Sequence, residues 1–271
     1  MIIGIDIGST TTKAVSLEEG KITKRIKTTA EDALTSAAGA LGKMIVENGI
    51  KMPDIKRIMI TGAGATKIEG DLFGIPTEKV NEIAAIGAGG MFLSGQDNIV
   101  IVSMGTGTAV IEARKDRIIH LGGSGVGGGT ILGLAKKLLS LSDFGDIMAL
   151  AASGSLEPVD LLLEDIMAKD LGFLDKKSTA SNFGKMLDTA RNEDIALGII
   201  NMVYEVIGML AVFAARSRNI DQVILAGSGS HNPLGQKVFA KITRMHSVGF
   251  VYPDDAEYTT AIGAGLRGAA V

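Results

Sequence analysis

Gly4-Ile5-Asp6-Ile7-Gly8-Ser9-Thr10-Thr11-Thr12-Lys13 decides how this chain is read. β-Branched residues alternate around Gly4 up to Ile7, small polar residues turn the chain, and Thr12 to Leu17 resume the alternation, which is the pattern of a β-hairpin. A turn of Gly, Ser and Thr lacks bulky Cβ substituents and presents N–H groups and hydroxyls to anionic oxygens. Gly8 would allow the close approach, Ser9, Thr10, Thr11 and Thr12 would donate hydrogen bonds, and Lys13 would add a point charge. Asp6 cannot hold an anion directly; its carboxylate suits Mg²⁺ beside phosphates. Alone, the segment also reads as a polar-tipped hairpin with a surface lysine.

Outward from the hairpin, Glu19-Gly20 offers a second turn into a strand over Lys21 to Thr28, completing a three-stranded meander. Ala30 to Asn48 has helical spacing and stops at Asn48-Gly49. Ile55 to Ile60 is a short strand leading to Thr61-Gly62-Ala63-Gly64, and Val80 to Leu93 reads as a buried helix whose only charge is Glu82. Asn98 to Val102 and Ala109 to Ala113 then flank Gly105-Thr106-Gly107-Thr108, repeating the strand, polar turn, strand plan and suggesting a duplicated fold. The boundary between two lobes, residues 1–96 and 97–271, is placed near Ser94-Gly95-Gln96-Asp97. A helical region begins at Ile131, helices fill Ile147 to Arg218, Val223 to Ala226 is a buried strand, and a final helix over about 258–271 is expected to pack back on the first lobe.

Composition narrows the function. A net charge of −3 argues against a general nucleic-acid binder and favours a small-molecule substrate. The chain has no cysteine, which removes disulfides, thiolate metal sites, iron–sulfur ligation and a Cys nucleophile. Without a signal-peptide pattern or a run of about 18 uninterrupted apolar residues, the expectation is a cytoplasmic protein with no membrane partner.

The second turn, Gly105 to Thr108, supplies small donors that would grip a polyphosphate from the other side, and Gly227-Ser228-Gly229 after a strand would let a flat adenine pass close to the backbone. In this order the three segments suggest an ATP-dependent phosphotransferase. Gly122 to Thr130 holds six glycines in nine positions, more than a hairpin needs, and implies a backbone pressed against something. Its N–H groups precede a helix and would point at a substrate or a transferring phosphoryl group. Glu82 reads in two ways: a desolvated carboxylate of raised pKa acting as a general base, or a helix N-terminal glutamate facing water.

With these segments placed, the chain resembles the superfamily of actin, sugar kinases and heat-shock chaperone ATPases, and within it is similar to the type II pantothenate kinases. The likeness runs nearly end to end. Its most specific part joins Gly127-Gly128-Gly129-Thr130-Ile131-Leu132-Gly133-Leu134 to Asn182-Phe183-Gly184; Met104 to Thr108, Gly227-Ser228 with His231-Asn232, and Ala261-Ile262-Gly263-Ala264 also belong to it. The resemblance implies a duplicated ribonuclease H-like fold of class α/β, with ATP and Mg²⁺ in the cleft between the lobes. It implies a metal or catalytic-water role for Asp6, phosphate contacts for Lys13, Gly105 to Thr108 and Gly127 to Gly129, adenosine contacts for Gly227 and Ser228, and Glu82 as the base. The acceptor, pantothenate or a pantetheine-like molecule on the way to coenzyme A, would meet Glu82, His120, Gly122, Gly123, Ser124, Gly125 and Tyr258. The family's members are homodimers, which implies an interface over Ile147 to Leu187, rich in Leu and Met.

One departure concerns the acceptor. Where that family carries an Arg before the glycine block this chain has His120, smaller and without a bidentate fork. Arg117, three residues earlier on a strand, falls on the opposite face. His120 also leaves room for a second reading, an ATP-binding sensor or partner-binding protein of the same fold with altered or lost kinase activity. The first ten-residue motif is similar to that of the activator ATPases of acyl-CoA dehydratases as well. Those hold an iron–sulfur cluster through cysteines, so an electron-transfer role is excluded here.

Overall fold

A computed structural model describes residues 1–29, 32–167 and 176–269. β1 (Ile2–Ile7), β2 (Thr11–Glu18) and β3 (Lys21–Thr29) form the expected meander. Glu19 and Gly20 both take positive φ (49° and 76°), the geometry that matches the right-handed twist of a hairpin. Asp32 caps α1 (Ala33–Asn48), its carboxylate accepting from the Thr35 amide at 2.8 Å, and Gly49 ends the helix at φ 67°. The residues before Asp32 where this helix was expected to begin, 30 and 31, lie outside the described residues. β4 (Arg57–Thr61) runs parallel to β1 and carries a short edge strand β5 (Thr77–Lys79) that sequence reading missed. Thr77-Glu78-Lys79 has no apolar alternation to mark it. Next comes α2 (Glu82–Ser94), capped by Asn81.

The second half repeats the plan: β6 (Asn98–Met104), β7 (Thr108–Arg114) and β8 (Ile118–Ser124) form a second meander. The helix expected from Ile131 starts three residues earlier, as α3 (Gly128–Leu139), so the glycine block is split between a strand end and a helix start. After α4 (Phe144–Ala151) comes a two-stranded ribbon, β9 (Leu161–Leu162) with β10 (Thr179–Ser181), and the short α5 (Leu163–Ile166). The long α6 (Asn192–Ser217) then leads to β11 (Gln222–Ala226), α7 (Pro233–His246), β12 (Gly249–Val251) and α8 (Thr259–Ala269). By length and composition α6 could cross a membrane, but its apolar side is packed on the second sheet.

The sheets read β3-β2-β1-β4-β5 and β8-β7-β6-β11-β12, the same order twice. Strand alternation divides each into two apolar faces. In the first sheet Ile3, Ile5 and Ile7 pack on Leu41 and Met44 of α1, while Val15 and Leu17 meet Ala261 and Ile262 of α8. In the second, Val100, Val102 and Val110 face α3, α6 and α7, while Ile99, Ile101 and Ile111 face Ile86 of α2. Each half thus sends its last helix across to the other half's sheet, and the two helices cross between the sheets.

That crossing is too close for side chains. A Cβ on Gly263 would lie 1.8 Å from the Ala85 carbonyl oxygen, and one on Gly89 2.0 Å from that of Thr259. Gly263→Val should therefore cost about 3 kcal/mol, the upper end of the usual range for overpacking, in urea unfolding followed by circular dichroism. Gly39→Ala, on α1 with nothing within 4 Å of its would-be Cβ, should instead stabilise by about 0.5–1 kcal/mol. Equal effects of the two changes would remove the crossing as a constraint.

Candidate active site

The two polar turns meet across a cleft of about 610 Å³. The first is closed by the Gly8 amide donating to Thr11 O (3.1 Å), the second by the Gly105 amide donating to Gly107 O (2.9 Å). Their tips touch, with Ser9 Oγ and Thr106 Oγ1 2.6 Å apart. Gly227, Ser228 and Gly229 form another wall, and Glu82 enters from the start of α2. Thr108 Oγ1 is spent on the carbonyl of Val126 at 2.8 Å, which ties the second turn to the glycine block.

Register places the charges. Asp6 on β1 is directly opposite Lys13 on β2, and Lys13 is directly opposite Lys27 on β3, so the three form a row across one face of the sheet, and all line the cleft. The same alternation corrects one expectation. Thr12, between Thr11 and Lys13, faces the other way, is fully buried and does not line the cleft. Lys13 is not a surface lysine: it is 7% exposed, and burial pulls its pKa down against the opposing pull of Asp6 and Glu257.

Burial pushes the Asp6 carboxyl up to about 7, opposed by Lys13 and reinforced by the charge of Glu82. Glu82 occupies the first position of α2 with its side chain exposed, and desolvation in the cleft still raises its pKa. Both readings of Glu82 therefore hold in part: it is a helix N-terminal glutamate, and it faces the cleft.

Among the described residues no cluster of three or more His, Cys, Asp or Glu could cage a metal unaided. The charged lining consists of two lysines, Lys13 and Lys27, against three carboxylates, Asp6, Glu82 and Glu257. Such a wall does not neutralise a polyphosphate by itself, so it fits a nucleotide that arrives with a divalent cation. Asp6, which lines the cleft with both polar turns, would be the carboxylate to share such a cation.

The glycine block plays a different part from the one expected. The amides of Gly128 and Gly129 donate to the carbonyls of Gly105 and Thr106, each at 2.9 Å, and the Gly127 amide donates to Thr130 Oγ1 at 3.1 Å. These N–H groups are not free for phosphate. A Cβ on Gly127 would meet Thr106 O at 2.6 Å, so the object the block presses against is the second turn's own backbone. Gly128 and Gly129 still line the cleft, whereas Gly127 does not.

Of the residues expected to hold the acceptor, Glu82 and Ser124 line the cleft, while His120, Gly122, Gly123, Gly125 and Tyr258 do not. Tyr258 packs on the α8 side of the first sheet, the same face as Lys13, in the apolar cluster of Val15, Leu17, Ala261 and Ile262. His120 is exposed on β8 between Ile118, which packs on Gly87 of α2, and Ser124 at the cleft. His120 stands opposite Ile111, which packs with Ile86, so it is on the α2 side of the second sheet. Arg117 is committed elsewhere, to the fully buried Glu112 together with Arg114 and Arg218.

Sequence reading missed Lys27, Ala63, Tyr204, Glu257 and Thr260, all in the lining. Counting across the Glu19-Gly20 turn pairs Lys13 with Ile26; the irregularity between Ser16 and Leu17 shifts the register by one residue and brings Lys27 opposite Lys13 instead. Nothing local marks Glu257, which arrives with the turn before α8 and takes the Ser228 hydroxyl at 3.3 Å. Tyr204 donates from its hydroxyl to Gly229 O at 2.8 Å and so fixes the third segment.

The Fumble family signature matches residues 98–265. The whole chain is similar to type II pantothenate kinases: 33% identical to that of Bacillus thuringiensis subsp. konkukian, over 98% of this chain and 96% of the relative, and 26% identical to that of Oceanobacillus iheyensis, over 97% and 98%. Its fold is similar to the activator of the 2-hydroxyisocaproyl-CoA dehydratase from Clostridium difficile with bound ADPNP (TM-score 0.71, 20% identity, 98% of this chain and 93% of that one). It is also similar to a ROK family glucokinase from Streptomyces griseus in complex with glucose and AMPPNP (TM-score 0.60, 15% identity, 98% of each chain). The two-sheet architecture is that of the actin-like ATPase fold expected from the sequence.

Asp6 gives the site a pH signature. Unfolded, it would titrate near about 3.9, whereas folded it keeps its proton until about pH 7. Between those values the native chain binds the extra proton, so stability falls as pH rises, by up to ~1.4 kcal/mol per pH unit from this residue. Without divalent cations, Asp6→Asn should match the wild type at about pH 4 and exceed it increasingly up to about pH 7. A pH-independent gap in urea unfolding would contradict this.

Proposed function

This chain belongs to the Fumble family, and on that premise we propose that it is an ATP-dependent kinase of pantothenate or a pantetheine-like alcohol. The observation that carries the reading is that Glu82, Asp6 and both phosphate turns line one cleft. The acceptor hydroxyl would lie against Glu82 and the γ-phosphate between the turns, with Lys13 beside the phosphates. Oxygen–phosphorus bond formation in line with the departing ADP oxygen transfers the phosphoryl group, and the hydroxyl proton passes to Glu82. Burial makes Glu82 a stronger base than an ordinary carboxylate. Mg²⁺, shared by Asp6 and the phosphates, would supply charge neutralisation.

His120, exposed on β8 on the α2 side of the second sheet, would read the far end of the acceptor. An imidazole in place of a guanidinium fork favours an acceptor without a carboxylate there, as in pantetheine. We place the protein in the cytoplasm as a homodimer, with the interface over Ile147 to Leu187. Residues 168–175 of that stretch lie outside the described residues; Ile166, Met186 and Leu187, in the described part, are exposed. Sedimentation should then give twice the 28.1 kDa chain mass.

In a coupled assay, ADP should form with pantothenate or pantetheine, and Glu82→Gln should lower kcat by about 10²–10⁴-fold while ATP still binds. His120→Arg should move the preference towards pantothenate. Absence of acceptor-dependent ADP formation, or full activity in Glu82→Gln, would overturn the kinase reading.

A further inference from the structure

Two lysines directly opposite each other on adjacent strands are an unfavourable arrangement, because like charges about 5 Å apart repel. Lys13 and Lys27 are such a pair, and both face the cleft. Asp6 offsets the repulsion on the Lys13 side, and Glu257, from the turn before α8, does so on the Lys27 side. Lys27 Nζ contacts its Oε1, the Ser228 hydroxyl donates to the same oxygen at 3.3 Å, and its charge acts on Lys13. Burial works to raise the Glu257 pKa, but the Lys27 hydrogen bond and charge, with Lys13 and Ser228, hold it below the usual carboxylate range. Glu257 thus occupies the position that an anion would take between the two lysines.

The contact is built to be exchanged. The Lys27 side chain is 44% exposed and Glu257 28% exposed, so water screens the pair and little is lost when it opens. The lysine stem is flexible and its ammonium free to turn. Arg25 and Asp255, one step further out on the same two segments, form a separate two-pronged pair that does not line the cleft and holds β3 to the turn independently.

We propose that Lys27 is a second phosphate ligand of the nucleotide cleft, held by Glu257 until the nucleotide's phosphates displace that carboxylate. The proposal rests on the nucleotide reading above. Binding then exchanges one ion pair for another: Lys27 leaves Glu257 for the phosphate oxygens, and the repulsion between Lys13 and Lys27 is offset by the ligand. Glu257 acts as a competing anion, so its removal has the opposite sign from removal of Lys27.

Titration calorimetry on the intact protein, with ATP and with adenosine as probes, tests this. Lys27→Met should weaken ATP by about tenfold or more, as expected for loss of a charge-assisted hydrogen bond, with adenosine changed by less than about twofold. Lys27→Arg should keep most of the ATP affinity. Glu257→Gln should tighten ATP, and Arg25→Met should leave it within about twofold. Three results would each overturn the inference: ATP affinity unmoved by Lys27→Met, equal weakening of ATP and adenosine, or weaker ATP binding in Glu257→Gln. Failure of the wild type to bind ATP at all would instead overturn the nucleotide reading, and the inference with it.

Discussion

The crossing of α2 and α8 is the contact on which the rest of the molecule depends. Each helix ends one half of the duplicated chain and covers the other half's sheet, so the two cores are joined through a single helix pair. Gly89 and Gly263 let the backbones meet where no side chain would fit. The approach also sets the position of the helix ends. Glu82 starts α2 and Glu257 immediately precedes α8, so the packing that joins the halves delivers two of the cleft's carboxylates.

The cleft itself is an exercise in strand register. Asp6, Lys13 and Lys27 share a row because the first hairpin holds its register and the second shifts by one residue between Ser16 and Leu17, while the intervening Thr12 turns to the opposite face. Opposite this row, the second turn is braced from behind: the start of α3 surrenders its first free amides to the carbonyls of Gly105 and Thr106. A helix N-terminus that looked like an anion site is therefore used to hold the second polar turn in shape.

Much of this was legible along the chain. The meander, the stop of α1 at Gly49, the buried α2 and the second strand-turn-strand unit all follow from local alternation and turn chemistry. The short β5 and β12 were not, because three-residue edge strands take their identity from the neighbour they pair with. Tyr258 was expected at the acceptor and lies in the apolar cluster between the first sheet and α8, outside the cleft lining, since its position depends on how α8 docks.

What the sequence by itself determined is one part of the cleft: the small, hydroxyl-rich turns at Gly8 to Thr11 and Gly105 to Thr108, with Asp6 and Lys13 beside the first. These are set by neighbours a few residues apart, and local geometry carries them. Only the tertiary structure decided that Lys27 and Glu257 meet there, that the amides of Gly127 to Gly129 are already used, and that His120 stays out of the cleft wall. Those relations join segments far apart in the chain, and they exist only once α2 and α8 have drawn the two sheets together.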